Sequence, residues 1–228
     1  MVGNDIVDLD FCEPAEHHHI RYLDRVCAPE EADAVRRSVN PVNALASIWA
    51  SKEAAYKLLS KQLELPHFVP HQFVAQVENH EGAQIYQKLS ILYRGVQADV
   101  SILSTERWVH AVAVLPSMKI KWTVGEIEKC FFGSRKASTE SEAVRFLAHA
   151  LLAQLGPQDV TLQFEGRVPQ LKRKGGGHSG MYVSLSHHGA FAAAAIAWPA
   201  CGPVPESSDD ARLALAKNSE AVCSTCTA

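Results

Sequence analysis

The sequence has no apolar run long enough to cross a bilayer. Its longest nearly uncharged apolar run, around Ala190 to Ala200, is about half of the ~20 residues a spanning helix needs. It has no excess of positive charge: 22 Lys and Arg stand against 25 Asp and Glu, a formal net charge of −3. That balance argues against a general nucleic-acid binder, which needs a basic face. The start, Met1-Val2-Gly3-Asn4-Asp5, lacks a basic, apolar leader. Neither a membrane nor a nucleic acid is therefore expected as partner. No Gly-x-Ser-x-Gly occurs, so a hydrolase nucleophile elbow is absent. The cysteines (Cys12, Cys27, Cys130, Cys201, Cys223 and Cys226) are scattered, which suits free thiols in a reducing cytoplasm. Cys223-x-x-Cys226 lacks a second pair and reads as part of a tail. What is present is a soluble, globular composition, 47% apolar and 21% charged over 228 residues, enough for one domain or two small ones.

The chain is organised around Trp49-Ala50-Ser51-Lys52-Glu53-Ala54-Ala55-Tyr56-Lys57-Leu58-Leu59. It lies in a segment from about Ala44 to Leu63 that is rich in helix formers and free of Gly and Pro. At helical spacing Trp49, Glu53 and Lys57 share one face, while Ala54 and Leu58 line another. Taken alone, Glu53 and Lys57 read as a surface pair, contributing about 0.2–0.5 kcal/mol to the helix. Val2 to Leu9 reads as a strand whose alternation puts Asp5 on the face of Gly3 and Val7. A carboxylate there is costly unless it is paired or binds a metal; otherwise it belongs to a turn. Asp8 points the other way. His17, His18 and His19 are consecutive, so on a helix they diverge and do not converge on one ion. Pro29-Glu30-Glu31 opens a helix, with proline near its start and acids in the first turn.

Strands are expected at 73–77, 88–93, 97–103 and 108–115, followed by a linker over about 116–121. A helix over about 141–155, a strand at 160–164 and a closing strand at 191–198 repeat the plan. His110 to Pro116 and Ala193 to Pro199 match loosely. Helix plus antiparallel strands, twice, predicts an α+β fold of two similar halves packed side by side as a pseudo-dimer. The expected division is 1–118, 119–200 and a tail without fixed structure over 201–228, where Pro, Ser, Asp and Ala dominate.

Near the end stands Val183-Ser184-Leu185-Ser186-His187-His188-Gly189. Alone, Ser186-His187 reads as a polar pair at a strand end. Together, Gly3-Asn4-Asp5, Trp49-x-x-Lys52-Glu53-Ala54-x-x-Lys57 and Ser186-His187 resemble the signature set of the 4'-phosphopantetheinyl transferases. Members of that family move the phosphopantetheine arm of coenzyme A onto a carrier-protein serine. The resemblance implies a Mg2+ ion held by Asp5 and Glu53, Lys57 on the phosphates, and Glu53, or a water on the metal, taking the serine proton. It places Ser186 and His187 at a coenzyme A phosphate, with Arg167 and Lys136 as further cofactor-binding candidates. The length is that of the surfactin-synthetase-activating type, whereas the motif order is that of the shorter holo-carrier-protein synthase type. Lys136, Val144-Arg145 and Gly166-Arg167-Val168-Pro169 look like pieces of the surfactin-type first half placed last, as in a circular permutation. Two departures stand out. Val168 intervenes in the family's Gly-Lys-Pro turn, and Val7 replaces an acid found two residues after the first aspartate of the longer type.

Lys172-Arg173-Lys174 could bind phosphate, meet an acidic carrier, or form a solvated loop. The expectation is a cytoplasmic, Mg2+-dependent, monomeric enzyme acting on coenzyme A and an apo-acyl or peptidyl carrier protein. The alternative is a non-catalytic coenzyme A or carrier-binding module on the same fold. Which carrier it serves (fatty-acid, polyketide or peptide synthesis) is not written in the sequence.

Overall fold

The computed structural model describes residues 1–12, 20–63, 65, 67–77, 86–132, 135–137 and 139–200. The histidine run at His17 and the expected tail with its Cys223-x-x-Cys226 lie outside the described residues.

The elements are β1 (Val2–Asp8), α1 (Ile20–Val26), α2 (Pro29–Arg37), α3 (Pro41–Leu63), β2 (Val74–Val77), β3 (Tyr86–Tyr93), β4 (Val96–Ser104), β5 (Trp108–Val114), β6 (Met118–Glu126), β7 (Phe131–Phe132), β8 (Arg135–Lys136), α4 (Glu140–Leu155), β9 (Val160–Glu165), β10 (Val168–Arg173), β11 (Tyr182–His188) and β12 (Phe191–Pro199). The fold is α+β with antiparallel sheets. One sheet runs β1-β5-β4-β3-β2 and a second runs β11-β12-β6. The hairpins β9–β10 and β7–β8 complete it. No described helix is long and apolar enough to cross a membrane. The expected linker over 116–121 is overturned. Only Pro116 and Ser117 turn the chain, and Met118 already pairs with Pro199 as the start of β6.

Asn40 starts α3 by accepting from the Asn43 N–H at 3.1 Å, and Pro41 takes the first position, where a missing N–H costs nothing. Its small buried residues, Ala46, Ala50 and Ala54, lie over β1, β5 and β4 in the first core. Gly3 lets β1 come closer still. A Cβ there would lie 2.6 Å from Leu58 N and inside the Ala54 carbonyl oxygen. This close approach sets Asp5 beneath the face of α3 that carries Glu53 and Lys57.

The other face of β1 meets the second sheet. Val2 and Val112 pack with Ala195 and Ala197, and Ile6 packs with Ala193 and Phe191. The far side of β12, through Ala192, Ala194 and Ile196, meets α4. The alanines thin β12 enough to be covered on both faces. Thr139 caps α4 by accepting from Glu142 N–H at 3.2 Å, and Gly156 ends it with φ +87°. Strands β5 and β12, the loosely matching pair, are each interior to their sheets.

The lysine of the Trp-x-x-Lys-Glu run serves the fold. Lys52 is fully buried and its ammonium donates to the Val26 carbonyl (2.8 Å) and to the Glu31 carboxylate. Glu31 also accepts from Ala28 N–H (2.7 Å) and Ala75 N–H (2.6 Å), so the Lys52–Glu31 pair ties α1, α2, α3 and β2 together. Removing one partner of a buried pair costs about 3–5 kcal/mol because it strands the other charge. Lys52→Met should therefore lower the melting temperature by roughly 6–20 °C for a chain of this size, as followed by circular dichroism. A shift under a few degrees would mean that Glu31 finds another partner.

Candidate functional site

The seam between the two larger sheets is built from side chains. As an edge of its sheet, β1 has backbone donors without a ladder on its outer side. Strand β11 answers with Ser184 Oγ, which accepts from Asn4 N–H at 3.0 Å, and His188 Nδ1, which accepts from Asp8 N–H at 2.9 Å. The Asn4 amide, fully buried, donates to Ser186 Oγ at 3.1 Å and lies 3.2 Å from His110 Nε2. Burial, and then the nearby Lys57 charge, push the His110 imidazole down to about 3. It is therefore neutral near pH 7, and its Nε2 accepts from the amide. Lys61 closes the seam by donating to the carbonyls of Val2 (2.9 Å) and Val183 (3.0 Å). Burial, with Lys57 nearby, lowers this ammonium to about 8.

On this seam lies a pocket of about 350 Å³ lined by Asp5, Trp49, Glu53, Phe11, His187 and His188, among others. Lys57 Nζ sits 2.7 Å from Asp5 Oδ1 and 3.2 Å from Glu53 Oε1. Burial raises the Asp5 carboxyl to about 7, against the pull of the Lys57 charge, with Glu53 pushing the same way as burial. Burial works against the Lys57 charge too, but Asp5 and Glu53 outweigh it and hold that ammonium above its ordinary range. The result is a buried carboxylate, a half-buried carboxylate and one ammonium between them.

Two carboxylates fit a small divalent cation that takes one or two protein oxygens and completes its shell with ligand phosphates and water. Asp5, buried and paired with Lys57, has its charge opposed by burial and so gains from a second cation. Among the described residues no cluster of three or more His, Cys, Asp or Glu could hold a metal by protein ligands alone, so a closed structural site is not built here.

The structure thus brings Asp5, Glu53, Lys57 and His187 together. Ser186 is buried with its hydroxyl on Asn4 and does not line the pocket. Arg167 is exposed in the Gly166-Arg167 turn of the β9–β10 hairpin, where Glu165 pairs with Val168. Its neighbours Glu165, Val168 and Pro169 line a second pocket of about 630 Å³, which also takes in Lys61, Lys172 and His178. Lys136 lies in β8, and its side chain is outside the described residues. Sequence reasoning missed Asn4, Asp8, Lys61 and His188. The alternation that aims Asp5 at α3 necessarily aims Asn4 and Asp8 at the opposite side, toward β11, and that was the available signal.

Residues 1–113 match the model of the 4'-phosphopantetheinyl transferase superfamily. No curated protein matches the chain. The matched region runs from β1 into β5 and contains Asp5, Glu53 and Lys57 on the elements that bring them together. Through residues 1–113, the chain belongs to the 4'-phosphopantetheinyl transferase superfamily.

Proposed function

We propose that the protein transfers the 4'-phosphopantetheine arm of coenzyme A to a serine of an apo-carrier protein and releases adenosine 3',5'-bisphosphate. The observation that carries this reading is the convergence of Asp5 and Glu53 on one pocket wall, with Lys57 paired to both behind them and His187 lining the same pocket from β11. Asp5 and Glu53 would hold Mg2+, which supplies positive charge to the phosphoryl oxygens when bound. Lys57, a mobile point charge between two acids, suits a pyrophosphate oxygen. Glu53, half exposed at the pocket, takes the serine proton as the serine Oγ bonds to phosphorus and the bond to the departing nucleotide oxygen breaks. His187, exposed on β11, adds a donor for a phosphate from the second half. Ser186 supports that strand end through Asn4, the exposed Arg167 is an outlying cation, and Lys136 of β8 remains a further cofactor-binding candidate.

In this reading residues 1–118 form the metal-carrying half and 119–200 the phosphate-binding half of a pseudo-dimer. One chain then holds a complete site and works as a monomer in the cytoplasm. The test is to incubate the purified protein with coenzyme A, Mg2+ and a panel of apo-carriers, then weigh the carriers by mass spectrometry. A phosphopantetheine mass gain that requires the protein supports the reading. Tight coenzyme A binding with no gain on any carrier would leave a binding module. Activity confined to a trimer in light scattering would overturn the single-chain site.

A further inference from the structure

His188, at the mouth of the pocket, belongs to none of the motif positions. It ends β11, and its ring lines the pocket beside His187 and meets Phe11 edge-on at 6.0 Å. Its Nδ1 accepts from the Asp8 backbone N–H at 2.9 Å. An amide N–H can only donate, so Nδ1 keeps its lone pair while this bond stands, and the neutral ring carries its proton on Nε2. The tautomer is thus assigned by the partner. Among the described residues, none accepts from that Nε2–H.

The ring is also held in place. Asp8 Oδ1 accepts from Asp10 N–H at 3.0 Å and Oδ2 accepts from Ala190 N–H at 2.8 Å, which fixes the turn after β11 against the end of β1. Gly189 in that turn has φ +54°, and a Cβ there would meet Asp8 Oδ2 and the Phe11 ring. The geometry is that of a preset neutral donor held by a rigid turn on the pocket lining, beside His187.

We propose that His188 is a ligand-contacting residue whose Nε2–H donates to a phosphate oxygen of the ligand in this pocket, with Asp8 as the positioning residue that fixes its tautomer. A phosphate oxygen is acceptor-only near neutral pH and suits a donor that cannot turn acceptor. The inference rests on the coenzyme A reading above.

Two substitutions separate contact from support. In His188→Asn the amide oxygen stands where Nδ1 stood, so the bond from Asp8 survives while nothing replaces Nε2–H. In His188→Gln the amide N–H reaches the place of Nε2, and the Asp8 N–H loses its acceptor. Coenzyme A is titrated calorimetrically into the parent and both variants, with a thermal melt of each. His188→Asn is expected to melt like the parent and bind about 10- to 150-fold more weakly, the worth of a hydrogen bond to a charged group. His188→Gln is expected to bind closer to the parent even if it melts lower. Parent-like affinity in His188→Asn, or equal weakening in both variants, overturns the inference and leaves His188 as a support for Asp8. If His188→Asn fails to fold, His188→Gln decides: near-parent affinity supports the inference, and a loss of about 10- to 150-fold overturns it. A parent that neither binds coenzyme A nor loads a carrier overturns the underlying reading first. A parent that does both while His188→Asn is unchanged overturns this inference alone.

Discussion

Asp5→Asn should give a folded protein whose carrier-loading rate has fallen at least about 10²–10³-fold, the usual cost of removing one preorganised electrostatic group from a reacting phosphoryl or acyl centre. The substitution keeps shape and removes charge. Lys57 would keep Glu53 at 3.2 Å, while its partner at 2.7 Å becomes a neutral amide, so the anionic wall is weakened and the ammonium is drawn toward Glu53. The same variant carries a thermodynamic signature of opposite sign. The Asp5 carboxyl titrates near 7 in the folded state, against an ordinary value near 3.8, chiefly because it is buried. Between those limits the native state binds more protons than the unfolded chain, so this group's contribution to stability falls as pH rises from about 4 to about 7 and is fully lost above. Asparagine is exempt from that loss. Melting the two proteins across pH 4–8 should show the variant gaining on the parent as pH rises, by an amount on the order of a few kcal/mol, reduced by what Lys57 loses. A loading rate within tenfold of the parent would remove Asp5 from the site. A stability gap that stays flat with pH would mean that Asp5 is ionised and well solvated.

Gly3→Ala is expected to be the most damaging single-methyl change in the chain. The added carbon would enter the Ala54 carbonyl oxygen and approach Leu58 N to 2.6 Å. Both are backbone atoms in the middle of α3, so no rotamer can relieve the contact and the helix must lift off β1. Overpacking by a methylene commonly costs about 1–3 kcal/mol; here the rigid neighbours put the cost at about 3 kcal/mol or more. That corresponds to a fall in melting temperature of roughly 6–12 °C at least. Because the lift separates Asp5 from Lys57 and Glu53, any folded remainder should also lose activity more steeply than stability. Parent-like melting of Gly3→Ala would show that the helix and strand are less closely apposed than described.

Much of this architecture is legible from period and punctuation. The helix around Trp49 and the one around Leu147 announce themselves by composition and spacing, and β3 to β5 by β-branched runs between turns. Asp5, Glu53 and Lys57 could be matched because each follows a local rule, alternation for the strand and a four-residue step for the helix. Strand β6 escaped because Met118-Lys119-Ile120-Lys121 is a half-exposed edge with lysines between its apolar residues, which reads as a connection. The seam escaped for a different reason. Ser186 looks like a ligand residue beside His187, yet its hydroxyl meets Asn4, from the opposite end of the chain. No period within one segment reports a register set between two halves. The role of Lys52 was hidden in the same way, since its carboxylate partner lies on another helix.

The placement of β1 also bears on how the chain is made. Its α3 face and its β5 partner are supplied by the first half, but Asn4 N–H waits for Ser184, a sequence separation of 180 residues. At a synthesis rate of about 5–20 residues per second, on the order of 10–40 s pass before that partner emerges. Throughout that interval Val2 and Ile6, destined for the alanine face of β12, lack the cover which that strand supplies. The nascent first half is therefore a natural client for a holdase chaperone, and a chain stopped short of β11 would present an adhesive surface where the cleft should form.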